Sequence, residues 1–208
     1  MVEEKIYIYP GYIRIWHLLN ALFFLVLILT GISMQYSNPD SPLIPFRISV
    51  ELHNIAGIGL TINYLVFIIG NSLSGNRKQY KIQWKGLWER LMKQARYYLR
   101  GYFRKEEHPF PITEDSKFNP LQAITYAMAM YLGVPLLCLT GIGLLFPETI
   151  LDRIFGLSGL LVADLLHVTS GFLLSLFMII HIYLCTLGLK PIKNFKAIFT
   201  GWHETEHK

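Results

Sequence analysis

Four stretches of this 208-residue chain, roughly 15–34, 52–70, 121–146 and 158–187, are long and almost free of charge. Each reaches or nears the ~20 residues that an α-helix needs to cross about 30 Å of hydrocarbon. They predict an all-α integral membrane protein built on a four-transmembrane-helix bundle. The composition agrees: 52% of the residues are hydrophobic and 16% charged, where a soluble domain carries about a quarter charged. A soluble protein with four core helices is set aside, because a chain of this length cannot also wrap them in a polar coat. The first apolar stretch is too long for the core of a signal peptide, and no small-residue cleavage motif follows it. It is expected to stay as the first helix.

The net charge of +5 is unevenly placed. Seventeen of the nineteen Lys and Arg lie in the N-terminal segment, in the long segment 71–118 and in the C-terminal tail. The two remaining connections hold only Arg47 and Arg153. The positive-inside rule then puts both termini and the long segment in the cytoplasm, as expected for a multi-pass protein of a bacterial-type inner membrane. Basic charge so placed reflects topology and anionic lipid and does not call for nucleic acid. The outer connections, about 35–50 and 147–157, are too short to fold a catalytic domain, so chemistry on soluble substrates outside needs another chain. In the inner segment, "WKGLWERLMKQARYYLRGYFR" (84–104) places Trp84, Leu87, Leu91, Ala95, Tyr98 and Tyr102 near one helical face among Lys and Arg. That pattern predicts a cytoplasmic amphipathic helix on the membrane surface, a role compatible with packing under the bundle.

Cys138 and Cys185 fall inside spans and belong to no CxxC or CxxCH pattern. Covalent haem, an iron–sulfur cluster and a zinc site therefore have no support from cysteine. The tetrapeptide "LTGI" occurs twice, at 29–32 and 139–142, near the outer ends of the two outward-running helices. A glycine there lets a bulky group approach the backbone, or lets helices pack closely.

Seven histidines are present. His108, His203 and His207 lie in cytoplasmic segments and are expected to be solvated. His17, His53, His167 and His181 lie within the spans, where ionisable side chains are costly and face a partner or the bundle interior. With alternating helices their depths pair up: His17 with His181 towards the inside, His53 with His167 towards the outside. His167 and His181 are fourteen residues apart, close to four turns, so they project from nearly one face about 21 Å apart. Helix four thus offers one ligand to each of two stacked sites. Zinc would want more ligands per site, with thiolate or carboxylate among them. Two imidazoles on either side of a flat apolar ring suit b-type haem, and bis-histidine haem favours electron transfer over oxygen binding. Gly31, Gly57, Gly141 and Gly171, with Gly59, are available beside such rings.

The chain resembles the four-helix di-haem cytochrome b subunits of nickel–iron hydrogenase, formate dehydrogenase and thiosulfate reductase complexes. The likeness rests on "RIWHLLNALFFLVLILTG", "ELHNIAGIG", "KFNPLQAITY" and "LLHVTSGFLLSLFMIIHIYL", and covers nearly the whole chain as a single membrane domain, 1–208. It implies two haem b, with the inner one exchanging electrons with menaquinone or ubiquinone. The outer one would serve an extracytoplasmic redox subunit, a multihaem, iron–sulfur or molybdenum/nickel enzyme. It carries a quinone role onto Asn119 and Gln122, although "NPLQ" also reads as a helix cap. Arg14, Lys117 and Lys190 are candidates for the propionates of the inner haem, or simple flanking charges. Two alternatives stay open: a stand-alone quinone reductase oxidising a small reductant such as superoxide, and a membrane anchor whose haems are structural.

Overall fold

The computed structural model of the chain describes residues 3–113, 116–187 and 192–206. Its elements in order are strand β1 (Glu3–Tyr7), helices α1 (Gly11–Tyr36) and α2 (Phe46–Leu73), a 3-10 turn (Asn76–Tyr80), and helices α3 (Leu87–Arg96), α4 (Pro120–Met128) and α5 (Val134–Leu145). A small hairpin of β2 (Arg153–Ile154) and β3 (Leu157–Ser158) follows, then helices α6 (Gly159–Thr186) and α7 (Ile192–Thr200) and strand β4 (Trp202–Glu206). Four helical spans are long and apolar enough to cross a membrane: α1, α2, the Pro120–Leu145 run of α4 and α5, and α6. The first two extend beyond the apolar windows read from the sequence. His53, expected at the start of the second helix, therefore sits about two turns into α2, the same depth at which His167 sits in α6.

The helices are apolar on their outer faces, and several of the side chains they bury are polar. Leu25, Ile55, Ile62, Leu139 and Ile179 are exposed, whereas Thr30, Ser49, Asn63 and Thr140 are buried. A soluble fold shows the reverse, and so extensive an apolar exterior needs lipid against it.

The third span is not a uniform α-helix. Residues Ala129–Gly133 open into a π turn just before Pro135. Proline offers no N–H, and its ring crowds the carbonyl four residues back, that of Tyr131. The wider turn absorbs both defects. The span starts with a complete capping box: Asn119 Oδ1 accepts from Gln122 N at 3.0 Å, Gln122 Oε1 accepts from Asn119 N at 3.1 Å, and Pro120 takes the first helical position.

The chain divides into two compact units. One comprises Met1–Arg14, Ile69–Met130 and Ile179–Lys208, the other Ile15–Ile68 and Tyr131–Met178. In the first, β1 and β4 pair antiparallel, with Lys5 opposite Glu204 and Tyr7 opposite Trp202. The two ends of the chain thus lie together, as an even number of spans requires. The helix expected over 84–104 is realised as α3, running into a π turn at Tyr97–Gly101. Leu87, Leu91, Ala95 and Tyr98 turn toward the protein around the fully buried Gln94. Trp84 departs from the expectation: it precedes the helix, ahead of the left-handed Gly86, and is exposed. With Trp88, Met92, Leu99 and Phe103 it belongs to a second, outward apolar stripe. A helix with one face on its own unit and another apolar face outward suits the membrane surface.

Candidate haem sites

His53 and His167 are brought together. Their ring centres are 6.2 Å apart and their planes are inclined at 66°. Two metal–imidazole bonds of about 2 Å, plus about 1 Å from each nitrogen to its ring centre, need roughly 6 Å. The gap therefore accommodates one iron held from both sides.

Each ring is supported from a neighbouring helix by the same pair of residues. Thr30 Oγ1 lies 2.9 Å from His53 Nδ1, and Thr140 Oγ1 lies 3.0 Å from His167 Nδ1. A methyl group on Gly31 would stand 3.6 Å from His53 Cε1, and one on Gly141 would stand 3.2 Å from His167 Cε1. Gly57 and Gly171 lie one turn beyond the two histidines. The nearest atom that a methyl group there would meet is a leucine Cδ2 4.0 Å away, on Leu27 and Leu137 respectively. That leaves room along the helix beside each ligand for a flat ring.

The correspondence runs further. Leu27, Thr30 and Gly31 match Leu137, Thr140 and Gly141; His53, Gly57 and Leu60 match His167, Gly171 and Leu174. Leu60 and Leu174 are both buried. Thr61 and Ser175 each donate back to the glycine carbonyl one turn earlier, at 2.9 and 2.7 Å. The α1–α2 and α5–α6 hairpins are thus two copies of one motif, of which "LTGI" is the part visible in sequence. The sequence pointed to its glycines. The threonines beside them, which touch the histidines, were missed.

The other two histidines fall in different units and have different surroundings. His181 Nδ1 lies 3.0 Å from Tyr126 Oη, with the two rings edge to face at 5.5 Å. Cys185, one turn on, places Sγ 3.9 Å from His181 Nε2, and both cysteines are free thiols. Tyr9 belongs to the same unit, and burial first, then Cys185, pushes its phenol up to about 12. It is a neutral hydroxyl at physiological pH. His17 is half-buried next to Trp16, whose ring stacks on Phe67 at 4.5 Å and whose carbonyl accepts from Asn63 Nδ2 at 3.2 Å. Along α1, among the described residues, three buried polar atoms flank His17 without a hydrogen-bond partner: Arg14 Nε, Trp16 Nε1 and Asn20 Oδ1. Buried unsatisfied groups are rare enough that each needs a reason. Two of the three, Arg14 Nε and Trp16 Nε1, are donors, the kind of group that the propionates of a haem would accept from; Asn20 Oδ1 is an acceptor and is not served in that way.

The remaining candidates have local roles in the structure. Asn119 uses Oδ1 for the helix cap and donates Nδ2 to Tyr98 Oη at 2.8 Å. Gln122 uses Oε1 for the cap, and among the described residues its Nε2 makes no hydrogen bond. Arg14 donates through Nη2 to the carbonyl of Phe199. Lys117 donates through Nζ to Asn76 Oδ1 at 3.3 Å, and burial lowers its pKa. Lys190 and His207 lie outside the described residues. His108 is exposed, in line with the expectation that it is solvated, and His203 is half-exposed.

A family model described as prokaryotic cytochrome b561 matches residues 8–201. A protein of Escherichia coli (strain K12) named "Putative cytochrome YdhU" is 38% identical over 200 residues, covering 96% of this chain and 75% of that protein. A protein of Rhodobacter capsulatus named "Probable Ni/Fe-hydrogenase B-type cytochrome subunit" is 26% identical over 198 residues, covering 87% of this chain and 74% of that one.

Proposed function

The chain belongs to the prokaryotic cytochrome b561 family, and from that premise we propose that it carries electrons across the membrane through two b-type haems, between quinone on the inner side and an extracytoplasmic redox subunit on the outer. Membership alone makes it a multi-pass membrane cytochrome b that binds b-type haem and acts in electron transfer. The two-haem count, the quinone, the partner and the sidedness are the proposal. The observation that carries it is the facing pair His53 and His167 at 6.2 Å, a spacing with one obvious use.

His53 and His167 would hold the outer iron, and Gly31, Gly57, Gly141 and Gly171 keep side chains out of the space beside them. His17 and His181 would hold the inner iron. A b-type haem held there would supply reversible one-electron chemistry. Arg14, whose Nε is buried with no partner among the described residues, would meet a propionate, and Lys117 and Lys190 are the further candidates for that role. The apolar exterior excludes water from the span.

Quinone is assigned to the start of α4. Gln122 lies one turn before Tyr126, so the two share a helix face, and Tyr126 holds His181. The uncommitted Nε2 of Gln122 can donate to a quinone carbonyl without breaking the cap. Asn119, whose polar atoms are both engaged, chiefly positions Gln122. Gln122→Glu separates the roles: its carboxylate still accepts from Asn119 N, but the donor is gone. The expected result is normal haem content and stability with reduction by a quinol analogue slowed at least tenfold. Asn119→Ala is expected instead to cost about 1 kcal/mol through the lost cap. Unchanged quinol kinetics in Gln122→Glu would place the quinone elsewhere.

The whole reading is tested by redox titration of the purified protein followed optically. Two haem components titrating in the quinone range are expected. A single component, or potentials far from any quinone, would overturn the proposed path.

A further inference from the structure

We propose that Thr30 and Thr140 are a matched pair of positioning residues that lock both outer histidines in the Nδ1–H tautomer, so that each presents Nε2 to the shared iron. The inference deepens the two-haem reading and rests on it.

Each threonine has a single hydroxyl proton to donate. Thr30 Oγ1 lies 2.7 Å from the carbonyl of Val26 and 3.2 Å from that of Leu27. Thr140 Oγ1 lies 2.7 Å from the carbonyl of Leu136 and 3.3 Å from that of Leu137. Carbonyls only accept, so both hydroxyl protons are committed to the helix backbone. A hydroxyl oxygen has lone pairs left but no second proton. The contacts at 2.9 and 3.0 Å to the ring nitrogens must then run from histidine to threonine, with Nδ1–H as donor. A neutral imidazole protonated on Nδ1 has its free lone pair on Nε2, the atom available to a metal. Reversing the bond would make each threonine give up its 2.7 Å contact with the helix carbonyl. Thr30 is 1% exposed and Thr140 8%, so water does not compete.

The arrangement also bears on potential. A hydrogen bond from the non-ligating N–H of a histidine makes the ring a better donor to the metal, which favours the oxidised iron. Here the acceptor is a neutral hydroxyl on both sides, so the two ligands are matched and only moderately strengthened. His181 differs: its Nδ1 meets a phenol, that of Tyr126. The two sites therefore differ in their supporting group.

The test uses the full-length holoprotein in detergent, with Thr30→Val, Thr140→Val and the corresponding Ser variants. The readouts are the midpoint potential of each haem component and the low-spin ferric EPR signal, which responds to the angle between the imidazole planes. Each Val variant is expected to raise the potential of the outer component by a similar amount, on the order of a tenfold change in ferric-over-ferrous preference, or about 59 mV for one electron. The outer EPR signal should shift, the inner component should stay in place, and the Ser variants should return both readouts close to wild type. If Val removes the outer haem altogether while Ser retains it, the hydroxyl is again required and the proposal stands. Unmoved potentials and EPR signals in both Val variants would overturn it, as would equal loss in Ser and Val. His53→Ala run alongside keeps the two levels apart. If that variant retains both haems, the ligand assignment itself has failed, whatever the threonines do.

Discussion

His53→Ala and His167→Ala are each expected to abolish the same haem component, seen as loss of one optical α-band contribution and one step of the redox titration. The double variant should be little worse than either single one, because a site that has lost one of two axial ligands has already lost its iron. His17→Ala and His181→Ala should abolish the other component and spare the first. The expectation rests on the 6.2 Å separation of the outer rings. It also rests on the fourteen residues between His167 and His181, which place the two sites about 21 Å apart along the helix. A planar ring with axial ligands cannot bridge such a gap. Loss of a common component in His53→Ala and His181→Ala would break the two-depth arrangement, and with it the electron path.

Topology gives the second all-or-none outcome. A reporter that is active only in the cytoplasm should be active when fused at Ser74 or after Lys208 and silent when fused at Asp40. Seventeen basic residues against two set this direction, and the β1–β4 pairing independently requires the two ends of the chain to lie on one side. Activity at Asp40 with silence at Ser74 would invert the molecule. The quinone would then face outward, and the His53–His167 site would face the cytoplasm.

On the proposed two-haem reading, the repeated hairpin explains why the two sites would differ. Under the correspondence that matches His53 with His167, His181 matches Phe67, and Tyr126 matches Trp16. Both of these second pairs touch: Trp16 stacks on Phe67 at 4.5 Å, and Tyr126 meets His181 at 5.5 Å. On the proposed reading the repeat offers two equivalent ligands, His53 and His167, to one site and only His181 to the other, for which His17, a residue without a counterpart in the repeat, is the proposed second ligand.

The sequence by itself determined what depends on length, spacing and charge count. Four spans follow from hydrocarbon thickness, the expected orientation from the placement of Lys and Arg, and the matching depth of His53 and His167 from the helical rise. Those quantities are nearly one-dimensional, so no knowledge of packing was needed. The capping box at Asn119 was legible for the same reason, because its partners are three residues apart. Only the tertiary structure decided what depends on which faces meet. Thr30 and His53 are twenty-three residues apart, and Tyr126 and His181 fifty-five; no periodicity within one helix shows that a hydroxyl will reach a ring on another. The same holds for Trp84, whose place in a helical wheel meant nothing once the helix began after Gly86. It holds for the π turn before Pro135 as well: the proline is visible in the sequence, but whether the chain breaks, kinks or widens is settled by the surrounding packing.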